Sequence, residues 1–194
     1  MSTFNHTTGY HLITPPDHEA AERAARLRTL GLSDTPHDEF DAFATNLARG
    51  AADLTRTAVP LYAMVNLVSE GRQYFVGLHN PATDPSRAPS GHHPAVGREM
   101  PRDYGFCPHV VARRKPLVLQ DVCDYPRYAG NPVVSSLGVR TYLGAPLTND
   151  DDGPILGTVC VVGTEPHPWG QEALDFIKAQ SAEAMRLLSQ LAIS

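Results

Sequence analysis

Apolar residues recur with helical spacing in two long stretches of the chain. In the first stretch they fall three or four residues apart, at Phe40, Phe43, Ala44, Leu47, Ala51 and Leu54. That spacing gives a helix one buried stripe. The preceding Thr35-Pro36-His37-Asp38 is a helix start, with a hydroxyl cap, a proline and an acid in the first turn. The same period predicts a C-terminal helix over 168–193, with its inner face at Leu174, Ile177, Ser181, Met185, Leu188 and Leu191.

The N-terminal region is more polar. Residues 1–13 show no sustained period and are predicted to be a flexible tail. Thr14-Pro15-Pro16-Asp17 has the composition of a helix start, so a linker helix is predicted over 14–31, ended by Gly31. The apolar face of this helix is thin, and we expect it to need a partner surface. Residues 14–194 are predicted to form a single domain.

Between the helices the pattern changes to short apolar runs bounded by turn residues. Residues 61–68 and 73–78 flank a glycine-containing turn, and 139–147 and 155–162 flank the acidic turn at 149–153. Each pair predicts a β-hairpin. The acids of the second turn lack the spacing and the distal glutamate of a calcium loop. A short strand is predicted at 117–119.

Three further segments separate these strands. Residues 79–103 are rich in proline, glycine and histidine and predict a long loop, 107–114 predict a short helix, and 121–138 predict an irregular segment with a short helix from about Pro132. Hairpins imply antiparallel pairing, and helices at both ends can cover one face of the sheet. The sequence therefore predicts an α+β domain with a central antiparallel sheet.

Composition narrows the classes of function. A length of 194 residues suits one domain, and a net charge of −5 without a basic stripe argues against nucleic-acid binding. No secretory signal and no membrane-length apolar run occur. Three widely spaced cysteines do not make a disulfide framework, so a reducing cytoplasm is the expected location.

Cys107 and His109 are the first candidates for chemistry. A thiol at the start of a helix is expected to have a lowered pKa, because the free amides and the dipole favour the thiolate. The alternative is a small buried cysteine beside a histidine that caps a turn. Cys123 is a possible redox partner for Cys107, whereas Cys160 lies in an apolar strand and is expected to be inert.

Two other site types have weaker support. Cys107, His109, Cys123 and the His92-His93 pair are suitable metal ligands, but their spacing matches no usual metal motif, and no metal is expected. No serine elbow, phosphate loop or catalytic pair occurs, so an enzyme is not expected.

Aromatic and polar side chains are dense between positions 121 and 142. They combine stacking faces with hydrogen-bond donors, at Tyr125, Arg127, Tyr128, Asn131, Arg140 and Tyr142. Such a mixture suits a pocket for a small ring-bearing ligand. It equally suits a loop held down by its own side chains, and both interpretations stay open.

Several segments together resemble the GAF family of sensory domains. They are LGLSDTP at 30–36, GFCPHVV at 105–111, PRY at 126–128, GVRTYLGAPL at 138–147 and LGTVCVV at 156–162. The resemblance extends over about residues 23–190. It implies a profilin-like antiparallel sheet, with terminal helices on one face that can form a homodimer and a loop-enclosed pocket on the other.

The resemblance also implies a function and a site. A bacterial sensor that binds an unidentified small molecule is expected, with output through a dimer or a signalling partner. Its expected ligand-binding residues are Tyr104, Phe106, Cys107, His109, Asp121, Tyr125, Arg127, Tyr128, Asn131 and Tyr142. Bilin-carrying relatives have histidine directly after the attaching cysteine, whereas this chain has Cys107-Pro108-His109, so no covalent bilin is expected. The alternatives are a Cys107-dependent redox sensor or methionine sulfoxide reductase, and a ligand-free dimerisation module.

Overall fold

The computed structural model describes residues 3–5, 10–12, 14–32, 34–83, 94–148 and 153–191. The strands among them are β1 (Thr3–Asn5), β2 (Tyr10–Leu12), β3 (Tyr62–Val68), β4 (Arg72–His79), β5 (Glu99–Pro101), β6 (Leu117–Leu119), β7 (Thr141–Leu147) and β8 (Gly157–Gly163). The α-helices are α1 (Ala20–Thr29), α2 (Asp38–Thr55), α3 (Cys107–Arg113), α4 (Pro126–Ala129), α5 (Pro132–Leu137) and α6 (Gln171–Leu191).

Six strands form one antiparallel sheet in the order β5-β4-β3-β8-β7-β6. The two predicted hairpins, β3–β4 and β7–β8, are joined in the middle because β3 pairs with β8. At one end of that pairing Gly157 lies so close to β3 that an added Cβ would stand 1.9 Å from the carbonyl oxygen of Asn66. Only glycine fits this position, because any side chain would overlap the neighbouring strand.

The two faces of the sheet contact different layers. Along β3, Ala63, Val65 and Leu67 pack in one hydrophobic cluster with residues of α2 and α6. The alternate residues Tyr62 and Met64 pack in a second cluster with residues of α3 and α5. Because successive side chains of a strand point to opposite faces, β3 is buried on both sides. The sheet is thus the middle layer of three.

The first helix begins later than the sequence pattern indicates. It starts at Ala20 and not near residue 14, which corrects the predicted linker helix over 14–31. The cause is local: residues that precede a proline avoid the helical region, and two prolines follow Thr14. Asp17 instead accepts a hydrogen bond from the Glu19 N–H at 3.3 Å. Leu27 and Leu30 pack against the core, so the partner surface of this helix is the domain itself.

Two segments predicted to lack regular structure contain strands. Thr3–Asn5 and Tyr10–Leu12 form a two-stranded antiparallel pair within the predicted tail. Glu99–Pro101 pairs with β4 as an edge strand within the predicted 79–103 loop. Backbone hydrogen bonds form these pairings, and a three-residue strand is too short to show a side-chain period. The acidic turn at 149–152 and the His92-His93 pair lie outside the described residues.

The α+β architecture with a central antiparallel sheet is confirmed, as are both hairpins, α2 and α6. The irregular 121–138 segment contains the two short helices α4 and α5. No helix in the described part of the chain has the length and apolar character needed to cross a membrane.

Candidate functional site

A cavity lies between the sheet and the layer formed by α3 and α5. It leaves about 40 Å³ for the centre of a water-sized sphere, which is room for about three waters at 10–15 Å³ each. Side chains from both layers line it, and most of them are apolar. The lining residues are Tyr62, Met64, Gln73, Phe75, Val96, Met100, Gly105, Phe106, Cys107, Val133, Leu137, Val139, Tyr142, Cys160 and Val162.

The backbone before α3 is held by an asparagine from the start of α5. Asn131 accepts a hydrogen bond from the Gly105 N–H and donates one to the Gly105 carbonyl, both at 2.9 Å. The same side-chain oxygen also accepts from the Val133 N–H at the first turn of α5. Gly105 has φ of +75°, a conformation that favours glycine. Asn131 therefore joins two walls of the cavity.

A buried glutamine holds the strand that closes the cavity at the sheet edge. Gln73 accepts a hydrogen bond from the Asn66 side chain at 2.9 Å. Its amide nitrogen donates to the carbonyls of Pro101 at 3.0 Å and Tyr104 at 2.7 Å. Because burial makes unpaired amides costly, these bonds hold the segment from β5 to α3 in place.

Three sulfur atoms meet at the floor of the cavity. The Sγ of Cys107, at the start of α3, lies 3.7 Å from the Sγ of Cys160 on β8. Cys160 Sγ lies 3.8 Å from Met64 Sδ on β3. The Tyr142 hydroxyl donates to Cys107 Sγ at 3.4 Å. All four residues are buried, and both cysteines are free thiols.

The two thiols have different acidities. The pKa of Cys107 is lowered to about 6. The hydrogen bond from Cys160 is the main cause, burial opposes it, and Thr158, Tyr142 and Asn66 contribute smaller effects in the same direction as Cys160. The same Cys107 bond and burial raise the pKa of Cys160. Burial raises the pKa of Tyr142, so its hydroxyl stays a donor. The pair therefore favours one thiolate, at Cys107, which accepts hydrogen bonds from its neighbours.

His109 belongs to the packing behind the cavity. It is 5% exposed, and its ring meets the Tyr128 ring edge-on at 4.9 Å between centroids. Its Nδ1 has no hydrogen-bond partner among the described residues. Burial lowers the pKa of His109 to about 4, and the nearby charges of Arg127 and Arg113 add to this. The imidazole is therefore neutral at neutral pH and lies outside the cavity lining.

The structure distributes the sequence-predicted site residues over three places. Phe106, Cys107 and Tyr142 line the cavity. Tyr104 and Asn131 support its wall through the hydrogen bonds described above. The others do not line it, and they are His109, Asp121, Tyr125, Arg127 and Tyr128.

The residues outside the lining have identifiable local roles. Asp121 pairs with Arg140, whose guanidinium lowers the pKa of that carboxyl. The Arg127 guanidinium lies 6.0 Å from the centre of the Tyr128 ring. Tyr128 is buried against Phe106, whereas Tyr125 is exposed. Much of the aromatic and polar segment is thus held down by its own side chains.

Sequence reasoning missed the contribution of the sheet. Tyr62 and Met64 on β3, Gln73 and Phe75 on β4, and Cys160 on β8 form the floor. Only β3 carried a signal, an alternation of larger or polar side chains with small apolar ones over YAMVN at 62–66. In strands that are buried on both sides this alternation is weak. It also does not predict which face of the sheet lines a cavity.

The thiol that contacts Cys107 is Cys160, not Cys123. Cys160 was expected to be inert, and Cys123 was considered a possible partner. Cys123 is instead exposed on a short turn after β6, whereas the Cys107 sulfur is in contact with that of Cys160. Among the described residues, no group of three or more His, Cys, Asp or Glu is placed to hold a metal ion.

The three layers, with a cavity between two of them, define a pocket-bearing α+β domain. The GAF domain profile matches residues 35–188, most of the chain, and the chain belongs to the GAF domain family of sensory and signalling modules. A cyclic di-GMP phosphodiesterase of Pseudomonas aeruginosa is 29% identical over 160 residues. That match covers 80% of this chain but only 23% of the relative.

Solved structures share the fold at low identity. The GAF domain of an Acinetobacter phosphoenolpyruvate-protein phosphotransferase has a TM-score of 0.55 at 17% identity, covering 92% of this chain and 95% of that one. The blue-light-absorbing PixJ GAF domain of Thermosynechococcus elongatus has a TM-score of 0.56 at 17% identity, covering 80% and 88%. A free methionine-R-sulfoxide reductase from Neisseria meningitidis has 0.51 at 14%, covering 99% and 98%.

Proposed function

We propose that this GAF domain is a sensor whose cavity binds a small, mainly apolar molecule. The observation that carries the proposal is the cavity itself, which is bounded by both layers and lined mostly by apolar side chains. A space of about 40 Å³ is too small for a cyclic nucleotide or a tetrapyrrole as the walls now stand. The ligand is therefore a compound of few heavy atoms.

The polar groups around the cavity limit the chemistry of that ligand. Gln73 uses its amide on neighbouring backbone and on Asn66, and Tyr62 donates its hydroxyl proton to the Pro94 carbonyl at 3.0 Å. Tyr142 donates to the Cys107 sulfur. These groups already have partners, so an anionic ligand would enter without a matching cation. A neutral ligand follows from this arrangement.

Output is proposed to pass through the terminal helices. The cavity and α6 contact opposite faces of the same strands, so β7 and β8 link them. A homodimer through α1 and α6, or a partner protein bound on that face, would respond to a shift of the strands caused by ligand binding. A domain that dimerises without a ligand is the alternative. Light scattering that finds a monomer at high concentration would exclude both the homodimer that transmits ligand binding and the ligand-free dimerisation domain.

The binding test is a thermal-shift screen of neutral fragments, with small aromatic and aliphatic compounds as probes. A fragment at one hundred times its Kd adds about 2.7 kcal/mol to the folded state, or roughly 5–10 °C in Tm for a chain of this size. Val162→Phe fills the cavity and is expected to abolish the shift. Tyr125→Ala, at an exposed aromatic outside the lining, is the matched control and should keep it.

Two results would contradict the proposed site. One is a screen in which no fragment raises the Tm. The other is a fragment whose shift survives Val162→Phe but disappears in Tyr125→Ala, because that fragment would bind at the exposed 121–128 segment.

A second candidate function is thiol redox chemistry, favoured by the 3.7 Å contact between the Cys107 and Cys160 sulfurs. Hydrogen peroxide would transfer one oxygen to the Cys107 thiolate and give a sulfenic acid, while its other oxygen would leave as hydroxide and take a proton from solvent to become water. The Cys160 thiol would then attack that sulfur, form the disulfide and release the second water. With methionine sulfoxide as oxidant, the two thiols would give methionine, the disulfide and one water.

Mass spectrometry of the peroxide-treated protein tests this candidate in a Cys123→Ser background. A loss of two hydrogens, with a Cys107–Cys160 linkage in the peptide map, is expected. Methionine-R-sulfoxide with a thiol reductant then tests for turnover, and Cys160→Ser should prevent both. Accumulation of sulfenic or sulfinic acid at Cys107 without any disulfide would rule out the paired mechanism.

A further inference from the structure

We propose that Met64, Cys107 and Cys160 form a binding site for a soft monovalent metal ion, with Cu(I) as the best match. The site goes beyond the proposed function, because it depends on the positions of three sulfur atoms and needs no organic ligand. It is defined by the three side chains and is called the sulfur trio below.

Cys160 Sγ lies from each of the other two sulfurs at the distance that separates two ligands of one metal ion. With a metal–sulfur distance of about 2.3 Å, two ligands lie about 4.0 Å apart in trigonal geometry and about 3.8 Å apart in tetrahedral geometry. Cys107 and Cys160 are 3.7 Å apart, and Cys160 and Met64 are 3.8 Å apart. An ion bound to Cys160 is therefore within reach of both neighbours, and the three rotatable bonds of Met64 let its sulfur adjust to the ion.

Each sulfur is carried by a different, firmly placed element. Met64 is on β3 and Cys160 is directly opposite it on β8 in the strand register, while Cys107 begins α3. β3 and β8 are the two central strands of the sheet. A site on such elements is more nearly preformed than one on loops.

The chemistry of the donor set selects the metal. Thiolate and thioether sulfurs prefer Cu(I) among the common biological metals. Structural zinc takes four ligands drawn from cysteine, histidine and carboxylates, and the trio supplies only two of that type. His109, the nearest histidine in sequence to Cys107, does not line the cavity.

The surroundings suit a buried ion of low charge. Binding forms two metal–thiolate bonds and releases the Cys160 thiol proton to solvent, because Cys107 is already the thiolate of the pair. The site with Cu(I) then carries one net negative charge. The Tyr142 hydroxyl, 3.4 Å from Cys107 Sγ, donates a hydrogen bond that stabilises that charge. All three sulfurs line the cavity, which gives the ion a route of entry.

The experiment is an anaerobic Cu(I) titration against a chromophoric Cu(I) chelator, with the whole chain carrying Cys123→Ser. Removing that exposed thiol leaves the trio's cysteines as the only two in the chain. One Cu(I) per chain is expected, with X-ray absorption showing three sulfur neighbours at about 2.2–2.3 Å. In the same background, Cys160→Ser should abolish competition with the chelator.

Met64→Leu tests the third ligand. Its shape is nearly conserved, so the fold is expected to persist, and Cu(I) affinity should fall at least tenfold. Met185→Leu removes a buried methionine of the hydrophobic cluster on the other side of the sheet, and it should leave the affinity unchanged. The Tm of each variant without metal confirms folding.

Three outcomes would overturn the site. They are no competition with the chelator by the Cys123→Ser chain, binding that persists in Cys160→Ser, and equal affinity in Met64→Leu with only two sulfur neighbours. Failure of the fragment screen does not affect the Cu(I) result, because Cu(I) binding is titrated without any organic fragment. Conversely, loss of Cu(I) binding in Met64→Leu does not test the fragment site, so the two proposals fail separately.

Discussion

A buried arginine provides the sharpest test of how the N-terminal helix is held. The Arg23 side chain has no exposed surface, and it pairs with Asp17. Its Nε donates to the Val68 carbonyl at 2.8 Å, and one Nη donates to the Ile155 carbonyl at 3.2 Å. Val68 is the last residue of β3 and Ile155 lies two residues before β8 begins, so Arg23 links α1 to the two central strands.

Arg23→Met keeps the aliphatic stem but removes all three polar contacts. Losing one partner of a buried ion pair costs about 3–5 kcal/mol, and each buried acceptor left unpaired adds about 1–3 kcal/mol. Asp17 keeps a second partner in Arg102 at 3.2 Å, which reduces the first cost. We expect the free energy of unfolding to fall by about 4 kcal/mol, or roughly 8–16 °C in Tm.

Urea unfolding followed by fluorescence measures this change, because Trp169 is the only tryptophan and is buried. Arg26→Met on the exposed side of the same helix is the matched control, with an expected change within about 0.5 kcal/mol. If Arg23→Met were within 1 kcal/mol of the parent, the inference that these contacts anchor α1 would be wrong.

Two further predictions concern the layer over the cavity. Since the pKa of His109 is about 4 when folded and about 6.5 when unfolded, its stabilising effect is complete above pH 6.5 and is lost as the pH falls toward 4. The parent should therefore lose about 3 kcal/mol more than His109→Gln between pH 7.5 and 4 in urea titrations, and parallel curves would refute this. Asn131→Ala should cost about 2–4 kcal/mol and speed alkylation of Cys107 in a Cys123→Ser background. Asn131→Asp keeps the oxygen acceptor, so its stability and its alkylation rate should lie between those of the parent and Asn131→Ala. An unchanged alkylation rate in Asn131→Ala would contradict the inference that the Asn131–Gly105 hydrogen bonds hold the cavity wall over Cys107.

Long periodic segments were predictable from the sequence because their information is local. The stripe of Phe40, Phe43 and Leu47 identifies α2, and turn residues identify both hairpins. The helix that begins at Cys107 was recognisable from the proline in its first turn and the proline beyond its end. The order of these elements then restricts the fold to an antiparallel sheet with helices packed on it.

The candidate site depends on contacts that cross the chain. Cys107 and Cys160 are 53 residues apart, and their sulfurs meet only because β8 lies under α3. The edge strand at Glu99–Pro101 owes its conformation to β4 and not to its own side chains. Local periodicity carries no signal for either arrangement.

Sequence alone therefore determined that the chain is an α+β domain of the GAF type and that a short helix begins at Cys107. The tertiary structure decided which residues share the cavity, why Arg23 is buried, and that Cys160 and Met64, not Cys123, accompany Cys107. The physical reason is that hydrophobic period and turn chemistry act within a few residues, whereas a cavity is formed by strand pairing and layer packing over the whole chain.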